Sequence, residues 1–208
     1  MYKRQEKILI ENDIPSDFKY LPIIESQLTN AISPRGAAGF WQFMKVTAKE
    51  VGLTVSKQID ERYDPIKSTK AACKYLKTAH ERLGNWTNVA ASYNMGVSGL
   101  KKQLEKQKVE SYYDLSINKE TGRYVFRILA LKEILENQQK YGFNMSNEGL
   151  YNYPSLKEIK VNSSINDLAS FAIEKGANLK LLKKYNPWLR SNQVSLQKGE
   201  ELIIKLPN

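Results

Sequence analysis

The sequence of 208 residues contains a single cysteine, Cys73, and a single histidine, His80. One cysteine excludes a disulfide framework and a cysteine-rich zinc site. Cys73 falls in a helical pattern of small and apolar residues, which favours a buried structural thiol over a nucleophile. His80 lies near the charged end of the same predicted helix, so it is a poor candidate for a Ser-His-Asp or Cys-His arrangement. Any catalysis must therefore rest on carboxylates, tyrosines and amides.

The sequence also lacks an apolar run close to the ~20 residues that a membrane-spanning helix requires. Residues 1–7 are basic, but no apolar stretch of signal-peptide length follows them. Two interpretations stay open at this point. The protein is cytoplasmic, or its export signal precedes the given sequence.

Acidic residues are fewer than basic ones: the chain has 22 Asp and Glu and 32 Lys and Arg, which gives a net charge of +10. Such a surface attracts polyanions in general, so nucleic acid, anionic lipid and bacterial cell wall all fit. The basic residues are scattered and form no clear recognition helix, which makes nucleic acid the least favoured partner. Hydrophobic residues make up 41% of the chain, enough for a real core.

The hydrophobic pattern predicts helices up to about residue 143 and no clear strand before residue 150. We expect Ser16, Ser68 and Thr87 to be the N-caps of three of these helices. Residues 144–154 are polar, with Gly149 and Pro154, and read as a linker. A strand, two helices and a second strand are predicted after it, which is a small α+β module.

Glu25 is the first residue that points to chemistry. In a helix, Phe18, Leu21 and Leu28 share one apolar face, and Glu25 lies on that face. Burial would favour the protonated carboxyl and raise its pKa, as a general acid near neutral pH requires. The alternative is a carboxylate at the edge of the stripe, paired with a surface lysine. On this stretch alone the alternative is the better interpretation.

Five motifs follow one another in the first 145 residues. They are Glu25-Ser26 after Leu21-Pro22; the run from Ser33 to Phe43 (SPRGAAGFWQF); Asp60 to Pro65 (DERYDP) with Ser68-Thr69 and Ala71-Ala72; Ala91 to Gly96 (ASYNMG); and Glu120 to Val125 (ETGRYV) with Tyr141-Gly142. In this order they resemble the lytic transglycosylases of the goose-type-lysozyme superfamily, and most closely the membrane-bound murein transglycosylases of the D type.

The resemblance implies that Glu25 is a single catalytic acid and then base. It would protonate the oxygen between N-acetylmuramic acid and N-acetylglucosamine. It would next take the proton from the muramic C6 hydroxyl, which attacks C1 and gives a 1,6-anhydro sugar. The resemblance further implies that the substrate's N-acetyl group stabilises the positive charge at C1. One carboxylate then suffices where most glycosidases use two. With the family in view, the buried-acid interpretation of Glu25 becomes the better one.

The resemblance also implies a saccharide groove. Ser33 and Gln42 would hydrogen-bond the sugar; the alternatives are a turn residue and a hydrogen bond to backbone. Tyr93 and Asn94 would form the groove floor, although Tyr93 could be a core tyrosine and Asn94 is expected mainly to shape the loop around Gly96. Tyr124 would place its hydroxyl near Glu25, with a core role as the alternative.

Asp60 and Asp64 are the second carboxylates that a hydrolase of this fold would need. We interpret both as structural, holding Arg62 and the start of the following helix. Trp41 is expected to pack in the core.

The C-terminal module resembles LysM, a βααβ fold that binds glycans containing N-acetylglucosamine. Asn186-Pro187 and the stretch from Leu196 to Leu202 carry the likeness. The stretch Val161-Asn162-Ser163-Ser164-Ile165 lacks the usual Gly-Asp pair, which counts against glycan binding. Packing against the catalytic domain is the alternative.

Together these features predict a mainly α, lysozyme-like catalytic domain (residues 1–145), a linker (146–154) and a small α+β, LysM-like module (155–208). The predicted protein is an enzyme, a peptidoglycan lytic transglycosylase acting on glycan strands. The alternatives are a muramidase or chitinase on the same fold, or a non-catalytic wall-binding protein. No metal or organic cofactor is implied, and no nucleic acid. Because peptidoglycan lies outside the cytoplasm, we expect a periplasmic envelope location, with the export signal outside the given sequence. Membrane attachment and oligomeric state stay open.

Overall fold

The computed structural model describes residues 2–144 and 154–208. Within them the chain is mostly helical, with one two-stranded sheet near the carboxyl terminus, which confirms the predicted fold class. The α-helices and strands are α1 (Tyr2–Ile10), α2 (Leu21–Ser26), α3 (Lys45–Glu50), α4 (Pro65–Leu83), α5 (Trp86–Met95), α6 (Val97–Gln107), α7 (Lys119–Glu136), β1 (Leu156–Val161), α8 (Leu168–Glu174), α9 (Leu179–Tyr185) and β2 (Leu202–Pro207). Short 3₁₀ helices cover Ser16–Tyr20, Glu61–Tyr63, Tyr112–Asp114 and Gln138–Tyr141. Of residues 146–154, the predicted linker, only Pro154 is among the described residues.

Helix α4 is the longest helix described, and its ends are set by side-chain and backbone capping. The Asp64 carboxylate accepts hydrogen bonds from the backbone N–H groups of Ile66 (2.8 Å) and Lys67 (2.9 Å), and Pro65 occupies the first turn. Gly84 ends the helix with a φ of 78°, a left-handed conformation that glycine adopts without a steric cost.

Two of the predicted N-caps are wrong for the same reason. Asp64, not Ser68, caps α4, and Asn85, not Thr87, caps α5 by accepting from the N–H of Asn88 at 2.8 Å. In each case another good capping residue lies two to four positions earlier in the sequence, and the helix begins there. Ser16 is likewise not a cap, because it is the first residue of a 3₁₀ helix.

The core of the N-terminal part lies where α1, α4, α5 and α7 pack together. One face of α4 is buried in it through Ala72, Leu76, Ala79 and Leu83. Other residues of this core come from the preceding segments and from the later helices; they include Leu9, Tyr20, Leu21, Trp41, Val89, Leu100 and Tyr124. Trp41 is 0% exposed and its indole N–H donates to Thr69 Oγ1 at 3.0 Å, so its predicted core role is confirmed.

The C-terminal module is a βααβ unit in which β1 and β2 pair antiparallel, from Leu156 opposite Pro207 to Val161 opposite Leu202. Buried Asn186 fastens α9 to β2. Its amide nitrogen donates to the carbonyls of Leu182 (2.8 Å) and Lys205 (2.7 Å), and its oxygen accepts from the Lys205 N–H (2.8 Å). The Asn-Pro pair of the sequence therefore has a structural role in the module.

The module packs against the helical part of the chain. Ile59 and Leu189 form an antiparallel bridge, and Ala38, Ile59 and Tyr63 belong to the same buried cluster as the module's own core. Among the described residues, none of the helices combines the length and apolarity that crossing a membrane requires.

Candidate active site

Glu25 lies near the end of α2, a helix of six residues. Pro22 occupies its first turn, where a missing N–H costs no hydrogen bond. Gln27 and Leu28 follow with left-handed φ angles of 54° and 56°, so the chain leaves the helix directly after Ser26. The short helix thereby presents Glu25 toward α7, with its side chain only partly exposed.

Tyr124 of α7 is the partner of Glu25. Its hydroxyl donates a hydrogen bond to Oε1 of Glu25, and the Tyr124 residue is only 2% exposed. In the structure the Tyr124 hydroxyl therefore lies beside Glu25, where the resemblance placed it. A tyrosine buried by its ring and satisfied through its hydroxyl serves both packing and the site.

Burial raises the pKa of Glu25 above its ordinary value. The hydrogen bond from Tyr124 acts in the opposite direction, since it favours the carboxylate, and the negative charge of Glu120 raises the pKa further. Burial and the neighbouring charge of Glu25 also raise the pKa of Tyr124 well above its usual range. Tyr124 therefore keeps its proton and remains a hydrogen-bond donor. Glu25 gains and loses its proton at a pH closer to neutral than a surface carboxyl does.

Tyr93 lies on α5, and its hydroxyl donates to the carbonyl of Trp41 at 2.7 Å. Its ring contacts the ring of Tyr75 edge-on, with centroids 5.5 Å apart. The charge of Glu25 contributes to raising the pKa of Tyr93, after burial, so the two side chains lie within electrostatic reach. Tyr93 thus connects α5, the segment that contains Trp41, and the surroundings of Glu25.

Ser33 and Gln42 both stabilise the segment of residues 33–43, which we call the 33–43 loop. Ser33 Oγ accepts from the Ala37 N–H at 3.0 Å. The Gln42 amide nitrogen donates to the carbonyls of Ala31 (3.0 Å) and Gly39 (2.8 Å). These are the turn and backbone contacts that sequence reasoning kept as alternatives to sugar binding. Both side chains are partly exposed, so the two uses are compatible.

The 33–43 loop reaches the helix of Glu25 directly. Ser26 Oγ lies 2.9 Å from the carbonyl oxygens of both Phe40 and Pro22, and Ser26 is buried. The residue next to Glu25 is therefore fixed by the loop that holds Ser33 and Gln42.

The sequence predicted that Asn94 shapes the loop around Gly96, but in the structure its side-chain amide binds the start of α7 instead. Its amide nitrogen donates to Glu120 Oε1 at 3.1 Å, and its oxygen accepts from Thr121 Oγ1 at 2.8 Å. Asn94 therefore joins the end of α5 to the first turn of α7. The reason is that both groups of the amide find partners across the helix pair rather than within their own turn.

Asp60 and Asp64 are engaged elsewhere, as predicted. Asp60 pairs with Arg62, whose Nη2 lies 2.7 Å from Asp60 Oδ2, and Asp64 caps α4. The carboxylate whose charge acts on Glu25 is Glu120, which sequence reasoning did not single out. Its spacing was the available signal, because residues four apart on a helix lie on one face and Glu120 is four before Tyr124.

His80 and Cys73 have no part in this site. The His80 ring stacks on that of Trp86, with centroids 4.1 Å apart. Cys73 is buried, and burial raises the pKa of its thiol to about 11, which leaves it protonated and unreactive. The site is thus one of carboxyl, phenol and amide groups, as the composition indicated.

Comparison with known proteins gave two family matches. Residues 4–116 match the model described as the transglycosylase SLT domain, and residues 157–208 match the soluble lytic transglycosylase C-terminal LysM-like domain. The first match contains Glu25, Ser33, Gln42, Tyr93 and Asn94 and ends before α7.

Among curated proteins, the chain is similar to membrane-bound lytic murein transglycosylase D of Escherichia coli strain K12. The two are 28% identical over 200 residues, which cover 93% of this chain and 44% of the relative. It is also similar to membrane-bound lytic murein transglycosylase F of Shewanella pealeana, with 30% identity over 138 residues that cover 62% of this chain and 26% of that protein. The chain thus spans less than half the length of these relatives. Among solved structures, lytic transglycosylase Slt from Pseudomonas aeruginosa matches with a TM-score of 0.49 and 20% identity, over 68% of this chain and 24% of that one.

Proposed function

Because the chain belongs to the transglycosylase SLT domain family, we propose that it cleaves peptidoglycan glycan strands as a lytic transglycosylase. The bond cleaved is the β-1,4 link from N-acetylmuramic acid to N-acetylglucosamine. The product is a 1,6-anhydro-muramic end, and no water is consumed. The observation that supports this most directly is the partly buried hydrogen bond from Tyr124 to Glu25, with the pKa of Glu25 raised by burial.

In this proposal Glu25 starts protonated and donates its proton to the glycosidic oxygen as the bond from that oxygen to C1 breaks. The carboxylate that forms is stabilised by the hydroxyl of Tyr124, since hydrogen bonds to a charged acceptor are the stronger ones. Glu25 then takes the proton of the muramic C6 hydroxyl while the oxygen of that hydroxyl bonds to C1. The enzyme ends as it began, with Glu25 protonated.

The groove contacts of this proposal come from the 33–43 loop and from α5. Ser33 Oγ accepts from a backbone N–H and has its own proton to donate to a sugar oxygen. The nitrogen of Gln42 is held by two carbonyls, which orients its oxygen as an acceptor for a sugar hydroxyl or N-acetyl N–H. Tyr93 and Asn94 form the floor of the groove. Tyr93 is held there by its bond to the Trp41 carbonyl, and Asn94 by its bond to Glu120. Each polar contact contributes about 1 kcal/mol net.

A hydrolase on the same fold is the second candidate, and the position of Glu120 favours it. A hydrolase needs a second carboxylate to activate water. Asp60 and Asp64 are occupied by Arg62 and by the start of α4, whereas Glu120 is exposed and its charge reaches Glu25. In the transglycosylase proposal Glu120 acts only through its charge.

Mass spectrometry of digested cell-wall sacculi tests the proposal. Anhydro-muropeptides are expected, and reducing muropeptides would instead establish the hydrolase. Glu25→Gln should abolish turnover, because Gln has no proton to give. Glu133→Gln is the matched control, since it makes the same change at an exposed carboxylate near the end of α7, where Glu133 pairs with Lys140. Equal effects of wild type and Glu25→Gln on sacculi would establish a non-catalytic wall-binding protein.

The proposed substrate also assigns a place and a partner. Peptidoglycan lies outside the cytoplasm, so we place the protein in the bacterial cell envelope, with glycan strands as its partner. The net charge of +10 suits a polyanionic wall. Fractionation of cells that produce the full-length protein is the measurement, with recovery in the envelope fraction expected.

A further inference from the structure

The buried side chain of Arg62 links the segment that pairs with the C-terminal module to the 33–43 loop. We infer that Arg62 is a positioning residue for the substrate groove and that the C-terminal module acts as a brace that holds Arg62 in place. The inference rests on the proposed function, since it concerns the groove of that reaction. It gives the module a role other than glycan binding.

The module is attached by backbone pairing to the segment directly before Arg62. The Asp60 N–H donates to the carbonyl of Trp188 at 2.9 Å, and the Arg190 N–H donates to the carbonyl of Gln58 at 2.8 Å. The side chain of Gln58 adds two bonds to Ser195, accepting from its N–H at 2.9 Å and donating to its hydroxyl at 3.3 Å. Residues 58–60 thus behave as an edge segment added to the module.

Ring and apolar contacts support the same attachment. The Arg190 guanidinium lies over the ring of Tyr63, 4.2 Å from its centroid. Tyr63, Ile59 and Ala38 are buried in the module's hydrophobic cluster. Ala38 belongs to the 33–43 loop, so the loop, residues 59–63 and the module share one hydrophobic cluster.

Arg62 passes the attachment on to the loop. It is 8% exposed, and Asp60 holds it through bonds of 3.0 Å to Nε and 2.7 Å to Nη2. Its remaining terminal nitrogen, Nη1, donates to the carbonyls of Gly36 and Phe43, both at 3.0 Å. The planar guanidinium therefore binds Asp60 and the carbonyls of Gly36 and Phe43 at the same time. The single ammonium of lysine cannot reproduce these bonds in the same geometry.

The backbone of Arg62 constrains the loop too. A Cβ atom built on Gly39 would lie 1.9 Å from the carbonyl oxygen of Arg62, so the loop packs against this backbone too closely for any residue except glycine. The same loop contains Ser33 and Gln42, and its Phe40 carbonyl lies beside Ser26, next to Glu25. If Arg62 is no longer held in place, we therefore expect Ser33 and Gln42 to shift before the position of Glu25 changes.

The test compares two variants of the full chain with a control. Arg62→Lys keeps the charge opposite Asp60 but loses the fork. The double variant Gln58→Ala/Arg190→Ala removes side-chain contacts between module and segment while changing no fully buried residue. Lys180→Ala, an exposed residue of the module away from this contact, is the control.

Hydrogen exchange of the 33–43 loop amides and steady-state kinetics on soluble glycan strands are measured for each variant. We expect faster exchange in the loop and a KM raised by about tenfold in both variants, because displaced groove contacts weaken substrate binding. The control should match wild type. A merely structural role would lower kcat through a smaller folded fraction and leave KM unchanged.

Two results would overturn the inference. Unchanged exchange of the loop in both variants would show that neither Arg62 nor its attachment to the module holds the loop in place, whether or not the protein cleaves glycan. Faster exchange with an unchanged KM would show that the brace does not position the groove. If wild type itself shows no cleavage, the proposed function fails, while the exchange measurement still decides about the brace.

Discussion

The hydroxyl of Tyr124 donates a hydrogen bond to Oε1 of Glu25 across 99 residues of sequence. This bond opposes the effect of burial, because it favours the ionised carboxylate whereas desolvation favours the protonated one. Burial is the larger effect, so the pKa of Glu25 is raised. The hydrogen bond nevertheless matters for a proton donor, since it stabilises the charge that appears on Glu25 once the proton has left.

Removing that hydroxyl should slow the reaction and move its pH dependence. Tyr124→Phe takes away a hydrogen bond to a charged group, which is worth about 1.5–3 kcal/mol, so we expect kcat to fall by about tenfold to a hundredfold. The pKa of Glu25 should rise further, since the contact that lowers it is gone. Activity lost at alkaline pH, where Glu25 has no proton to donate, should therefore be lost at a higher pH than in wild type.

Tyr20→Phe is the matched control for that experiment. Tyr20 is also buried, and its hydroxyl donates to a different carboxylate, Glu136, at 3.0 Å. Its loss should leave the alkaline limb of the pH profile in place. If Tyr124→Phe and Tyr20→Phe have the same profile, Tyr124 acts only as a core residue.

Glu25 should also make the folded protein less stable than a neutral residue at that position would. Its folded-state pKa is raised, so at acid pH both folded and unfolded states are protonated and nothing is lost. As the pH rises from the unfolded value toward the folded one, the unfolded state ionises first and the free energy of unfolding falls. We expect Glu25→Gln to be more stable than wild type near neutral pH, with the difference shrinking as the pH falls.

Urea unfolding of both proteins from about pH 4 to about pH 8 measures this difference. A gap that does not change with pH would mean that ionisation of Glu25 is not its cause. The same data show that Glu25→Gln is folded, which the activity test of that variant requires.

Periodicity and composition predicted the helical scaffold well, because the buried faces are long and regular. The face of α4 through Leu76 and Ala79 is one such buried face, and the predicted order of a strand, two helices and a second strand after the linker is the order observed. Helix starts were less predictable. Several capping residues lie within one turn of each other, and only the backbone geometry decides that Asp64 rather than Ser68 accepts from the free N–H groups.

The pairing of Glu25 with Tyr124 could not be derived from local pattern at all. It depends on how α2 packs against α7, and no spacing within either helix encodes that contact. Resemblance to a family supplied the expectation. Arg62 shows the same limit, since its bonds to Gly36 and Phe43 join residues 26 and 19 positions apart and leave no periodic trace.

Asp64 should prove structural rather than catalytic. Asp64→Ala removes the acceptor for two N–H groups at the start of α4, and loss of such a cap costs about 1 kcal/mol. For a chain of this size we expect a fall in Tm of roughly 2–4 °C, read by thermal unfolding. Asp64→Asn keeps an acceptor and should restore most of the loss. Both should cleave glycan at the wild-type rate per folded molecule; a specific loss of turnover in Asp64→Asn would identify Asp64 as the water-activating carboxylate of a hydrolase.

Glu120 should tune Glu25 without taking part in bond cleavage. Its negative charge raises the pKa of Glu25, so Glu120→Gln should lower that pKa and shift the alkaline loss of activity to lower pH. The shift should shrink as salt is added, because Glu120 is exposed and its field is screened over about 10 Å at 0.1 M ionic strength. Glu133→Gln makes the same charge change on α7, thirteen residues further along, about 20 Å away, and should cause no shift. Product analysis completes the experiment: Glu120→Gln should still release anhydro-muropeptides, whereas loss of all turnover would assign Glu120 the second-carboxylate role and favour hydrolysis.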